Sequence, residues 1–150
     1  MSCFQGTAQF MAIAILLRCL KAPGVENVIH SLHHDLEAII WVALYSILMH
    51  EIIEERGAAT FSAGCNKDDD KFHLFRDSFS HTSYKEIEKA RKYCMTSSEL
   101  LVVMIKAPAL QKLVSTLMRL VCKQNNSWSA PIYITHQSLR AAFDDACKGL

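Results

Sequence analysis

Apolar positions along the chain fall into two dense early runs and then into helical spacing. Phe10 to Leu17 is apolar throughout, and Arg18 and Lys21 close it before the turn dipeptide Pro23-Gly24. The run predicts a short buried helix, too short to span a bilayer. Leu36 to Ile53 is apolar on almost every side between Glu37 and His50, through Ile39, Ile40, Trp41, Val42, Leu44, Ile47 and Leu48. A helix of that kind belongs in a protein interior, so a buried central helix is expected over about 35–55. Its uncharged part, about 12 residues, falls short of the ~20 that a membrane span needs.

The pattern then turns polar. Gly57, Gly64, Asn66 and Lys67-Asp68-Asp69-Asp70-Lys71 predict an exposed loop over about 56–80, with the charge run as solvated surface. Later helices are expected over about 83–148. Ser83-Tyr84-Lys85-Glu86 and Thr96-Ser97-Ser98-Glu99 each have the form of a capping box, in which a side-chain oxygen takes an orphan N–H at a helix start. Pro108 suits a first helical turn, and Leu110, Leu113, Val114, Leu117, Met118 and Val121 follow it at helical period. After Asn125-Asn126-Ser127 and the irregular Pro131-Ile132-Tyr133-Ile134, Thr135 can cap a last helix with Leu139, Ala142, Phe143 and Ala146 on one face. Strand patterns are scarce and no repeat appears, so the fold class is mainly α, with about six helices in one domain over 1–150.

Composition narrows the function classes. Sixteen basic and fifteen acidic side chains leave a net charge of +1, with no overall field to attract nucleic acid, an anionic membrane or an acidic substrate. Cys3, Cys19, Cys65, Cys94, Cys122 and Cys147 stand singly, without the short spacings of a zinc site, and read as reduced thiols. The start Met1-Ser2-Cys3-Phe4-Gln5 has no basic leader and Arg18 interrupts the apolar stretch behind it, so an intracellular chain without signal peptide or transmembrane segment is expected.

Candidate chemistry is sparse. Neither G-x-G-x-x-G nor G-x-x-x-x-G-K-[ST] occurs, so no backbone cradle for a nucleotide phosphate is expected. His30 and His34, four apart, could share a helix face toward a metal with Asp35 turned away; adjacent His33, His34 and Asp35 could not converge on one ion. The plainer reading is that His34 and Asp35 open the buried helix, with Asp35 favoured by its N-terminal dipole. No cysteine has the histidine neighbourhood of an activated nucleophile, and Trp128 between Ser127 and Ser129 is expected to be a satellite packing contact.

Two blocks carry a family resemblance. Gly6-Thr7-Ala8-Gln9-Phe10-Met11-Ala12 resembles the end of a protein kinase activation segment, G-T-x-x-[FY]-M-A-P-E, the loop that docks substrate. About twenty residues on, His30-Ser31-Leu32-His33-His34-Asp35-Leu36-Glu37 is similar to the H-S-x-x-H-D-L-E-S pattern of the fungal-type protein kinase family, which precedes the long buried helix of the kinase C-lobe. His81-Thr82-Ser83-Tyr84-Lys85-Glu86-Ile87 with Lys89 looks like that family's next helical region. Order and spacing agree over residues 5 to about 95; beyond that only the helical pattern agrees.

The resemblance implies the helical C-lobe of a kinase-like domain, from a family that phosphorylates protein Ser/Thr with ATP, with the end of the activation segment at 5–14. It places Thr7 against a catalytic loop, makes Phe10, Met11 and Ala12 the wall of the substrate-docking loop, and makes Asp35 the buried aspartate that holds the catalytic loop. The Gly-rich loop, strand lysine, catalytic aspartate and magnesium-binding aspartate of the family have no counterpart, so no catalytic residue, cofactor or metal is assigned. ATP and magnesium would belong to a full-length parent only. The family's ion-pair glutamate is replaced by Ala14 and the preceding proline by Ile13. An arginine partner, at Arg119 or Arg140, would then need another acceptor. The implied function is an inactive fragment of a fungal-type kinase domain. The alternative is a stand-alone, pseudokinase-like module that binds protein through its exposed N-lobe-facing surface, with no nucleic acid or membrane as partner.

Overall fold

A computed structural model describes residues 8–21, 29–59, 70–126 and 128–149. A single 3-10 turn, Ala8–Phe10, leads into α1 (Ile13–Cys19), α2 (Leu32–Ala59), α3 (Asp70–Phe79), α4 (Tyr84–Thr96), α5 (Ser98–Val103), α6 (Pro108–Gln124) and α7 (His136–Cys147). The mainly helical expectation holds, and no strand occurs among the described residues.

The starts of three helices follow local chemistry. The Ser83 hydroxyl accepts the Glu86 N–H at 3.3 Å and donates to the Glu86 carboxylate at 2.7 Å, so the glutamate steadies the capping hydroxyl itself. Pro108 takes the first turn of α6, where its missing N–H costs nothing. Thr135 and Ser138 bond each other's backbone N–H at 3.0 Å, a capping box with serine in the usual glutamate place. The expected box at Thr96 does not form. Thr96 ends α4, its hydroxyl turned back to the carbonyls of Lys92 and Tyr93, and Ser97 precedes α5 without a side-chain cap. At the end of α1, Lys21 takes φ 53°, the left-handed conformation that glycine adopts more cheaply.

The helices pack around α2. Leu36, Ile40, Trp41, Leu44, Leu48 and Ile52 on that helix are buried, and so are Leu113, Val114, Leu117, Met118 and Val121 of α6. Together they form one continuous core that also takes in Leu139, Ala142 and Ala146 of α7. The Phe10 ring meets the Tyr45 edge at 5.6 Å, and Tyr45 in turn packs on Phe75 and Phe79 of α3. α1 lies on α4, α5 on α6, and α6 beside α7.

Four expectations change. The loop expected over about 56–80 is partly helical: α2 continues to Ala59 and α3 runs from Asp70. The acidic run hides the start of α3, whose Phe75 and Phe79, four apart, lie on the core with half-buried Leu74 beside them. The central helix, expected to be enclosed all round, instead leaves a stripe open to solvent, with Leu32, Asp35, Ile39, Val42, Ser46, His50 and Ile53 exposed. Leu32–Glu54 is also long and apolar enough to cross a bilayer, with a mean hydropathy of 1.7, where the count of uncharged residues made it too short; 44% of that window is buried in the protein. Trp128 is not a packing contact. It is 94% exposed, its backbone N–H held by the Asn126 side chain.

Candidate functional site

The densest polar arrangement centres on Glu37, in the second turn of α2. Its side chain is 0% exposed, and both carboxylate oxygens are used. One accepts the Ile13 backbone N–H at 2.9 Å and the Trp41 indole N–H at 3.2 Å; the other accepts the Gln124 amide at 2.7 Å and the Asn125 amide at 3.0 Å. Each donor has a structural reason to be there. Ile13 opens α1, so its N–H is one of the orphan donors of a helix start. Trp41 lies one turn along the same face of α2. Gln124 and Asn125 end α6, and Gln124 also accepts the Ile134 N–H at 2.9 Å, which ties in the segment leading to α7.

Beside the Gln124 and Asn125 amides that bond this carboxylate lies a half-open hollow of about 330 Å³, lined by Ala14, Ile29, His33, His34, Gln124, Asn125, Pro131 and Tyr133. The His33 ring packs against Tyr133 at 4.2 Å and His34 at 4.1 Å. The Ser31 N–H donates to His34 Nδ1 at 3.1 Å, which leaves the proton of the neutral ring on Nε2. Burial, with His33 and His30 alongside, pulls the His34 pKa down to about 4 against the opposing charge of Asp35. Burial lowers His33 as well, opposed by Glu37.

Against the ring face of Trp41 sits Arg91 of α4. The guanidinium lies 4.2 Å from the Trp41 ring centre and 4.7 Å from that of Phe79, at 0% exposure, and none of its nitrogens has a hydrogen-bond partner among the described residues. Burial draws its pKa down to about 10, opposed by Cys94 and Glu37, so it remains charged at neutral pH.

The residues singled out from sequence occupy different settings. Thr7 lies outside the described residues. Phe10 and Met11 are half-buried, and Ala12, 2% exposed, takes the N-cap position of α1, so all three are engaged in packing. Asp35, expected to be the buried anchor, is on the open stripe of α2; its side chain is 58% exposed and bonded to His30 at 2.9 Å rather than turned away from it. Glu37, two positions on, points inward because it shares a helix face with Trp41 and Ile40. Ala14 lines the hollow, and no arginine is among its described lining residues. Arg119 is exposed on α6 and Arg140 bonds Asp144 at 3.4 Å on the surface, so neither is a buried cation stranded by Ala14. No motif in the sequence marks Glu37, Gln124, Asn125 and Arg91 as a unit. One signal was available: an acid inside an otherwise apolar helix has to find donors.

No family model, no curated protein and no solved structure matches the chain.

Two outcomes are expected. A His34 pKa below the unfolded value of about 6.5 contributes stability that is complete above that value and lost as pH falls towards about 4. The urea midpoint should therefore drop between about pH 7 and about pH 5, and drop less in His34→Gln; equal slopes in the two proteins would contradict the assignment. For Arg91, the cost of an unpartnered buried cation exceeds the roughly 2 kcal/mol of desolvated ring contacts, so Arg91→Met is expected to stabilise the chain by about 1–3 kcal/mol. A destabilised Arg91→Met protein would show that the guanidinium has an acceptor.

Proposed function

We propose that the chain is an inactive piece of a fungal-type protein kinase domain, corresponding to the helical C-lobe, and that its role is structural or protein-binding rather than phosphotransfer. The observation that carries this reading is the Ile13–Glu37 hydrogen bond. It joins the start of α1, just after the segment resembling a substrate-docking loop, to the start of the long core helix, just after His33-His34-Asp35. That contact supports the reading by bringing together the two segments that carry the resemblance, which are separated by about twenty residues.

The same reading makes the chain catalytically silent. Phosphoryl transfer depends on positioned cations and backbone donors around the phosphates, and these 150 residues contain no Gly-rich phosphate loop. ATP and magnesium would belong to a full-length parent. Ala14 adds a second lesion, since it stands where the resembling family has its ion-pair glutamate, and no carboxylate or guanidinium is among the described lining residues of the hollow.

A stand-alone pseudokinase-like binding module is the second reading, favoured by the open apolar stripe on α2. Nucleic acid is not proposed as its partner, given the net charge of +1, nor is a membrane, since nearly half of the apolar window is buried in protein.

The test is a thermal melt of the purified chain with and without magnesium and ATP in large excess. No shift in Tm is expected; a magnesium-dependent rise of several degrees would overturn the inactive reading. Sequencing of transcripts that include this coding region tests descent. An upstream in-frame catalytic loop with a magnesium-binding motif supports the kinase reading, and an unrelated upstream domain sinks it.

A further inference from the structure

We propose that the open stripe of α2 is a dimer seam: it packs antiparallel against the same stripe of a second copy of this chain, about a twofold axis between Val42 and Ala43. The inference stands on the geometry of α2 and does not depend on kinase descent.

The stripe runs from Leu32 to Ile53, about 30 Å of helix at 1.5 Å per residue. Leu32, Ile39, Val42 and Ile53 are exposed by 62, 48, 44 and 62% of their surface, four large apolar side chains on one face with Asp35, Ser46 and His50 between them. It has small residues at its middle, with Ala43 half-buried and Ser46 exposed, so two such helices can approach to the ~8 Å of close helix pairs.

What selects a second copy is the order of residues along the line. With the axis between Val42 and Ala43, Leu32 meets the partner's Ile53, Ile39 meets Ser46, and Asp35 meets His50. Its only exposed acid thus falls opposite its only exposed imidazole, and symmetry makes the pair twice. Asp35 already accepts from His30, but its side chain is 58% exposed and its carboxylate can take further donors. A parallel pairing would place Asp35 against Asp35 and His50 against His50, which disfavours it. An anionic lipid surface is also a poor fit: no lysine or arginine occurs from Leu32 to Glu54, whereas Asp35 and Glu54 are exposed. One helix face is small against the roughly 800 Å² per partner of a standard interface, so a dimer in the micromolar range is expected.

Sedimentation equilibrium of the full 150-residue chain, from about 1 to about 100 µM, tests this. A monomer–dimer equilibrium is expected, weakened at least roughly tenfold by Val42→Glu at unchanged helical circular dichroism. Asp35→His alone and His50→Asp alone should each weaken the dimer, and the double exchange should restore it by restoring both opposed pairs. Both positions are exposed, so this exchange decides the matter even where Val42→Glu disturbs folding. A monomer over the whole range, a dimer indifferent to Val42→Glu in a folded protein, or a double exchange no better than the singles would each overturn the seam. So would a chain that stays monomeric in solution yet co-sediments with phosphatidylcholine vesicles, which would assign the stripe to lipid.

Discussion

Four N–H groups converge on one buried carboxylate, and the arrangement of this fold depends on that convergence. Desolvating Glu37 costs several kcal/mol, which is offset only when its oxygens are filled with donors. The donors come from α1, α2 and the end of α6, elements brought together from opposite ends of the sequence. Apolar contacts alone would let these helices slide or rotate, since the hydrophobic effect has no direction. A carboxylate that must collect four specific N–H groups allows far fewer arrangements. Gln124 extends the constraint, with its amide on Glu37 and its carbonyl holding the Ile134 N–H, so the approach to α7 is set from the same point.

Arg91 presents the opposite case against the ring face of the same indole. Trp41 gives its N–H to Glu37 and its ring face to the guanidinium, so one side chain separates a fully satisfied buried anion from a buried cation with no hydrogen-bond partner among the described residues. Opposite charges across a ring attract in a low-dielectric interior, and the influence of Glu37 on Arg91 reflects this. The attraction does not replace hydrogen bonds, and the guanidinium remains the most costly unsatisfied group in the described core.

Local signals in the sequence were read well where backbone chemistry decides. Ser83, Pro108 and Thr135 each start a helix, and the apolar periods after Pro108 and Thr135 lie on the core. Thr96 failed because a capping hydroxyl can equally turn back to a carbonyl of the preceding turn, and tertiary packing chooses between the two. The start of α3 was hidden by an acidic run that resembles a loop by composition. The site was harder to read. A motif match drew notice to Asp35, yet orientation on a helix depends on which face is covered, and a face is known only once its neighbours are placed. Glu37 could have been found from the principle that an acid within an apolar helix needs donors, though which donors would come was not readable before Gln124 and Asn125 were seen at the end of α6.

With the fold anchored at Glu37, α1, α2 and the end of α6 meet at one structural carboxylate, and the outward face of α2 stays open to solvent. The most direct test compares urea unfolding of Glu37→Gln and Asp35→Asn at neutral pH. Glu37→Gln puts an amide among four N–H donors and should lose about 2–4 kcal/mol, whereas Asp35→Asn, which within one chain alters only an exposed pair, should lose less than about 0.5 kcal/mol at a concentration where the chain is monomeric. An Asp35→Asn protein less stable than Glu37→Gln would contradict the anchor at Glu37 and return that role to the aspartate.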